Sequence, residues 1–144
     1  MNRRVGAVVS ARSGALAASA LVLLAGCGQS STEPPEDVRR ATESFLSACA
    51  AGEPGASAEL VAGSARARYD EGATVPESCE QVLGLGLPVS PPEATAEALR
   101  RTRITAVAVS GEDATVEVSA GRRRSRLALG QERGDWRIFG PSGP

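Results

Sequence analysis

The fold of this chain is decided by residues 104–119, which read Ile-Thr-Ala-Val-Ala-Val-Ser-Gly-Glu-Asp-Ala-Thr-Val-Glu-Val-Ser. The first part is rich in β-branched residues, and apolar and polar residues alternate over residues 114–119. Such alternation is typical of a strand that buries one face. Ser110-Gly-Glu-Asp113 has the composition of a tight turn. The stretch therefore predicts two strands joined by a short connection.

Two further strands are predicted downstream. Residues 123–131 follow a break at Gly121, and residues 136–139 follow the turn Arg133-Gly-Asp135. Connections of a few residues join antiparallel strands, because parallel neighbours need a long crossover. The second half of the chain is therefore expected to form a four-stranded antiparallel meander.

Helices are predicted upstream of the strands. Val38, Phe45 and Cys49 belong to an apolar series with spacings of three and four, which predicts a helix from Pro34 or Pro35 to Gly52. Shorter helices are expected over about 56–70, from Pro76 onward, and from Pro92 to Arg100. Helices followed by a meander indicate an α+β fold with the helices packed on one face of the sheet.

The N-terminus has the three parts of a secretion signal. Arg3 and Arg4 form a basic start, residues 14–24 are apolar, and small residues precede Cys27. A membrane-crossing helix needs roughly 20 apolar residues, so a cleaved signal is the preferred interpretation. Export through a general or a twin-arginine route stays open.

Leu24-Ala-Gly-Cys27 resembles the lipobox of bacterial lipoproteins. The resemblance implies cleavage before Cys27 and attachment of diacylglycerol, which carries fatty acids such as palmitate, to its thiol. The alternative is an ordinary secretion signal followed by a chance cysteine. The predicted organisation is a signal peptide at 1–26, a lipidated cysteine and flexible tether at 27–35, and a single α+β domain at 36–144.

The order of elements resembles the nuclear transport factor 2-like (cystatin-like) superfamily, in particular its small bacterial lipoproteins. The resemblance is carried by the helical start at 36–53, the strand-turn-strand at 107–118, and the ending Gly134-Asp-Trp-Arg-Ile-Phe-Gly140. It implies a curved sheet wrapped around helices, with a cone-shaped cavity. Four residues are candidates for lining that cavity: Tyr69, Glu117, Trp136 and Phe139.

Catalysis finds little support in the composition. The chain has no histidine, and all 16 of its basic residues are arginine, which removes imidazole bases and lysine Schiff bases. The resembled superfamily includes isomerases with an Asp base beside a Tyr, but adjacent residues such as Tyr69 and Asp70 diverge on a helix. We therefore assign no catalytic residue, no metal site and no cofactor.

Two cysteines remain once Cys27 is assigned to lipid. Cys49 and Cys79 each fall on the apolar side of a predicted helix. An even pair in an oxidising compartment is expected to form a disulfide.

Charge disfavours nucleic acid as a partner. Residues 27–144 hold 13 arginines and 17 acids, and 13 − 17 = −4, whereas nucleic-acid binding depends on neutralising phosphates. The run Arg122-Arg-Arg-Ser-Arg126 is the exception, with Arg122, Arg124 and Arg126 expected on one strand face. One interpretation is that this face binds anionic lipid headgroups or a polyanionic wall polymer. The other is a solvated face whose arginines pair with acids such as Glu117, and this interpretation is favoured.

The leading hypothesis is an extracytoplasmic lipoprotein of the cell membrane that acts as a non-catalytic binding module. Its partners would be the membrane, through the N-terminal lipid, and an envelope protein or a small ligand. Two alternatives remain: an enzyme or carrier that uses the cone cavity, and a structural accessory of envelope assembly.

Overall fold

The computed structural model describes residues 34–88 and 90–143, which belong to the compact unit Ser31–Pro144. The predicted signal peptide, Cys27 and most of the tether lie outside the described residues. The helices are α1 (Pro34–Ala51), α2 (Pro54–Glu59), α3 (Arg66–Asp70), α4 (Val75–Leu83) and α5 (Pro92–Arg100), with a short 3-10 helix at Gly63–Ala65. The strands are β1 (Arg103–Ser110), β2 (Asp113–Ala120), β3 (Arg123–Glu132) and β4 (Asp135–Pro141).

The predicted α+β class and antiparallel meander are confirmed. The four strands form one sheet in the order β1-β2-β3-β4, and each neighbouring pair is antiparallel. Each connection is a two-residue turn that contains a glycine with positive φ, namely Gly111 at 63°, Gly121 at 62° and Gly134 at 85°. Two-residue hairpins favour turns of this kind because their twist matches that of the strands.

Helix α1 forms where the apolar spacing predicts it. Val38, Phe45 and Cys49 are fully buried along one face. The helix ends at Ala51 and is followed by Gly52, whose φ is +72°. The amide of Gly52 donates to the Cys49 carbonyl and that of Glu53 to the Ala48 carbonyl. This Schellman arrangement satisfies carbonyls that would otherwise lack partners.

The prediction of one helix over 56–70 is wrong. The chain forms α2, the 3-10 helix and α3, and residues 60–62 lie beside β4. Ile138 donates its amide to the Leu60 carbonyl and accepts from the Ala62 amide, both at 2.8 Å. Val61 and Ala62 are buried there. Backbone pairing with a strand far along the chain therefore overrides local helix propensity.

Helix α4 begins with a capping box, in which the amide of Glu77 donates to the Thr74 hydroxyl and the Glu77 carboxylate accepts from the Thr74 amide. It ends at Leu83, and the C-cap residue Gly84 adopts the left-handed conformation. Both ends are thus specified by local sequence.

The sheet buries one face. Val116 and Val118 on β2 and Leu127 and Leu129 on β3 are almost fully buried in the core formed with the helices. The intervening residues point to the opposite face, here called the outer face. On the outer face, the side chains of Glu117 and Arg126 are 45% and 54% exposed.

The predicted disulfide between Cys49 and Cys79 is confirmed. It joins α1 to α4 across the core, with the Cα atoms 5.9 Å apart and both residues fully buried. It closes a loop with a sequence separation of 30.

Removing this bond by Cys49→Ala/Cys79→Ala should lower the free energy of unfolding by about 3–4 kcal/mol, because the unfolded chain regains the entropy of an open loop of this length. Urea denaturation of both proteins, followed by circular dichroism, measures the difference. A loss below about 1 kcal/mol would contradict a stabilising cross-link.

Candidate functional site

The four candidate cavity residues lie on two sides of the sheet. Tyr69 and Trp136 are buried on the helical side, and the Tyr69 hydroxyl shares a hydrogen bond with the Ser57 hydroxyl. Glu117 and Phe139 lie on the outer face. Trp136 and Phe139 thus point to opposite faces, as their alternation predicts. The structure does not bring the four side chains together.

Phe139 is the exposed large apolar side chain of the described residues, at 38%. Its ring lies against Gly130 of the neighbouring strand, where a Cβ atom would come within 2.8 Å of the ring. Glycine at this position therefore lets the ring lie flat on the sheet.

A groove of about 730 Å³ lies at the end of β2 and β3, where outer-face side chains meet Gly84 and Pro141. Among its lining residues are Thr105, Glu117, Ser119, Arg124, Arg126 and Ser142. We call it the outer groove. The C-terminal residues form one wall, because the Ser142 amide and hydroxyl both donate to the Arg126 carbonyl, at 2.7 and 3.1 Å. This contact holds Ser142 alongside β3.

One ion pair crosses the groove floor. Arg126 donates from Nη2 to Oε1 of Glu117 at 2.8 Å, between directly opposed residues of β3 and β2. The predicted pairing of the arginine run with Glu117 is confirmed for this residue. Both partners are substantially exposed, so the pair orients the guanidinium and adds little to stability.

The expectation that three arginines share a strand face is wrong for Arg122. Arg122 occupies the two-residue turn with Gly121, and β3 begins at Arg123. Only Arg124 and Arg126 share the outer face. Among the described residues, the groove is therefore lined by two guanidinium groups and one carboxylate, that of Glu117, which gives these residues an excess of positive charge.

Glu80 is a partly buried acid that the sequence analysis did not single out. It lies on α4 next to Cys79, and its Oε1 accepts from the Leu87 amide at 2.9 Å. Its Oε2 is buried and has no hydrogen-bond partner among the described residues. Burial raises the pKa of the Glu80 carboxyl, while backbone amides of residues 85–87 and the nearby Arg123 act in the opposite direction.

A sequence signal for this burial exists. Glu80 lies three residues before Leu83 and four after Pro76, at the border of the apolar helix face. The following Gly84-Leu-Gly-Leu segment has positive φ at both glycines, which lets the loop fold back over the carboxylate. Within residues 34–88 and 90–143, no group of three acidic or cysteine side chains is placed to hold a metal ion.

Stability should depend on the ionisation of Glu80. The folded state keeps the proton to a higher pH than the unfolded state, whose carboxyl has an ordinary pKa near 4.5. The free energy of unfolding contributed by Glu80 therefore falls as pH rises above 4.5 and through the raised pKa. Glu80→Gln cannot ionise, so its stability relative to wild type should increase over that range.

Denaturation of both proteins from pH 4 to 8 measures this, with the exposed Glu43→Gln as a matched control. An unchanged difference between wild type and Glu80→Gln across the range would refute the assigned cause.

No family model, curated protein or solved structure matches the chain at a significant level. No helix within the described part of the chain has both the length and the apolar character needed to cross a bilayer.

Proposed function

We propose that this chain is an exported lipoprotein, lipidated at Cys27, whose folded unit is a non-catalytic binding module at the outer surface of the cell membrane. The nuclear transport factor 2-like interpretation is part of the proposal, and the packing of helices on one face of a meander is compatible with it. The outer groove is the binding surface, and its ligand is anionic.

The observation that carries the proposal is the charge of the outer groove. Arg124 and Arg126 project from alternate positions of one strand, and Glu117 supplies the one carboxylate that lines the groove among the described residues. Glu117 holds the Arg126 guanidinium through a single nitrogen, and the other donors of this half-exposed group have no hydrogen-bond partner within the part of the chain that the structure describes. Exposed arginine donors suit phosphate and carboxylate oxygens.

The helical side of the sheet offers less support for a ligand. Apolar side chains such as Phe45, Leu127 and Ile138 are fully buried there, and they pack together with Trp136 and Tyr69. The alternative of an enzyme or carrier acting inside a cone would require polar groups that converge on open space. We therefore favour the outer face.

Export is supported by the disulfide and by the lipobox-like segment. A disulfide in the core fits an oxidising compartment, and Cys27 directly follows the small residues that end the apolar run. Together they favour anchoring outside the cytoplasm.

In the full chain, Cys27→Ser should leave the precursor unprocessed or release the protein from carbonate-washed membranes. Two acyl chains give stable attachment, whereas unlipidated protein lacks this anchor. Mass analysis of the wild-type mature protein should identify acylated Cys27 as its N-terminus. Normal processing and continued membrane attachment of the Ser variant would contradict the proposal.

Arg124→Ala/Arg126→Ala should weaken binding of residues 31–144 to vesicles of anionic phosphatidylglycerol by about 30-fold, because each arginine near such a surface contributes about 1 kcal/mol. Vesicle co-sedimentation at low salt measures this, with neutral phosphatidylcholine vesicles as the baseline. A parallel titration with inorganic polyphosphate distinguishes a lipid surface from a soluble polyanion.

The matched control is Arg40→Ala/Arg100→Ala, which also removes two exposed arginines that are paired with acids. It should bind as the wild type does. Equal loss in both variants would reduce the effect to net charge, and failure of the wild type to bind either probe would overturn the assignment of an anionic ligand.

A further inference from the structure

The two edges of the sheet differ in whether their backbone groups are covered. The edge of β4 is covered, because Ile138 pairs with Leu60 and Ala62 through two backbone hydrogen bonds of 2.8 Å. Strand β1 forms the other edge and pairs with β2 on one side. Within the described residues, no further backbone hydrogen bond reaches β1 from its other side.

The turn defines which groups of β1 point outward. Ser110 and Asp113 face each other across a two-residue turn, and such a closing pair is hydrogen-bonded. Hydrogen-bonded and non-hydrogen-bonded pairs alternate along an antiparallel ladder. Val107 and Val109 therefore direct their amides and carbonyls away from β2, towards the open edge.

The composition of β1 does little to protect this edge. Residues 104–110 contain no charge and no proline and are rich in β-branched residues. Natural edges are usually blocked by charges, prolines or bulges. The register shift between Ile104 and Ala106 is confined to the start of the strand, and the pairing of residues 107–110 is regular. This part of the edge can accept another strand.

Charges at the two ends of β1 identify the strand that it would accept. Arg101 and Arg103 flank its start, while Glu112 and Asp113 follow its end. Arg101 pairs with Glu97 at 2.9 Å, and the ion pairs of the described residues leave out Arg103, Glu112 and Asp113. A second β1 laid antiparallel would place its acidic end beside this basic start, and the reverse at the other end.

We propose that two copies of this chain associate through antiparallel pairing of their β1 strands about a twofold axis, which joins the two sheets into one of eight strands. A twofold interface must be self-complementary, and the reversed charges at the ends of β1 meet this condition. Parallel pairing would place like charges together. The inference does not rest on the outer groove or on the lipid.

Two reversed variants test the charge arrangement. Glu112→Arg/Asp113→Arg makes both ends basic, and Arg101→Glu/Arg103→Glu makes both ends acidic. Each should dissociate about tenfold or more readily than wild type, since like charges across strands destabilise pairing. An equimolar mixture should recover dimers, because opposite charges then meet at both ends.

Sedimentation equilibrium and native mass spectrometry of oxidised residues 31–144 measure these states, and the two variant masses identify heterodimers. Recovery in the mixture requires both variants to be folded, so it separates lost pairing from lost structure. The matched control is Asp70→Arg/Glu71→Arg, an exposed acidic pair at the end of α3, which should remain dimeric.

Amide exchange provides a measurement that needs no variant. The Val107 and Val109 amides of the wild type should exchange more slowly at a concentration where the dimer forms than in dilute solution. A wild type that stays monomeric up to about 0.5 mM overturns the proposal, because its dissociation constant would then be far weaker than that of a specific interface. So does a mixture that stays monomeric, or a control that dissociates like the reversed variants.

Discussion

The alternation of side chains along β2 and β3 is the constraint on which the rest of the structure depends. Val116 and Leu127 enter the core, so their neighbours Glu117 and Arg126 must project from the other face. A shift in pairing of one residue would exchange the two sets. The core and the charged outer groove are therefore two results of the same pattern.

The helical side is fixed by contacts that are distant in sequence. The disulfide links α1 to α4, and residues 60–62 cover the edge of β4. The disulfide reduces the conformational entropy of the unfolded chain. The contact of residues 60–62 supplies hydrogen-bond partners to backbone groups of β4 that would otherwise lack them. With one edge closed in this way, the edge of β1 is left as the place where another strand can be added. The outer groove and this edge are separate features of one sheet.

Local patterns predicted much of this fold. The β-branched and alternating stretches around Gly111, Gly121 and Gly134 give the four strands, and the spacing around Phe45 gives α1. The disulfide between Cys49 and Cys79 could be predicted because these are the two cysteines left after Cys27 is assigned to lipid, and both lie on apolar helix faces. The break-up of the predicted helix at 56–70 could not be foreseen, because it depends on hydrogen bonds to Ile138. Arg122 lies in a turn because β3 begins one residue later, at Arg123, and the sequence pattern does not locate strand ends to a single residue.

The candidate site was less predictable than the fold. Alternation shows that Trp136 and Phe139 differ in face, but it does not say which face meets the helices. The burial of Glu80 arises from a loop that folds back onto α4. The groove itself needs the C-terminal residues, which Ser142 attaches to β3. Each of these features depends on tertiary contacts between residues far apart in the sequence, which a short stretch of sequence does not reveal.

The central claim is that the protein binds through the outer face of its sheet. Chemical-shift mapping of residues 31–144 by NMR, during titration with short-chain polyphosphate, tests it most directly. The account predicts saturable shifts that cluster at the outer groove, at Ser119, Arg124 and Ser142, with little change at Phe45 or Tyr69. Shifts centred on the helical side, or no saturable shifts at all, would contradict it.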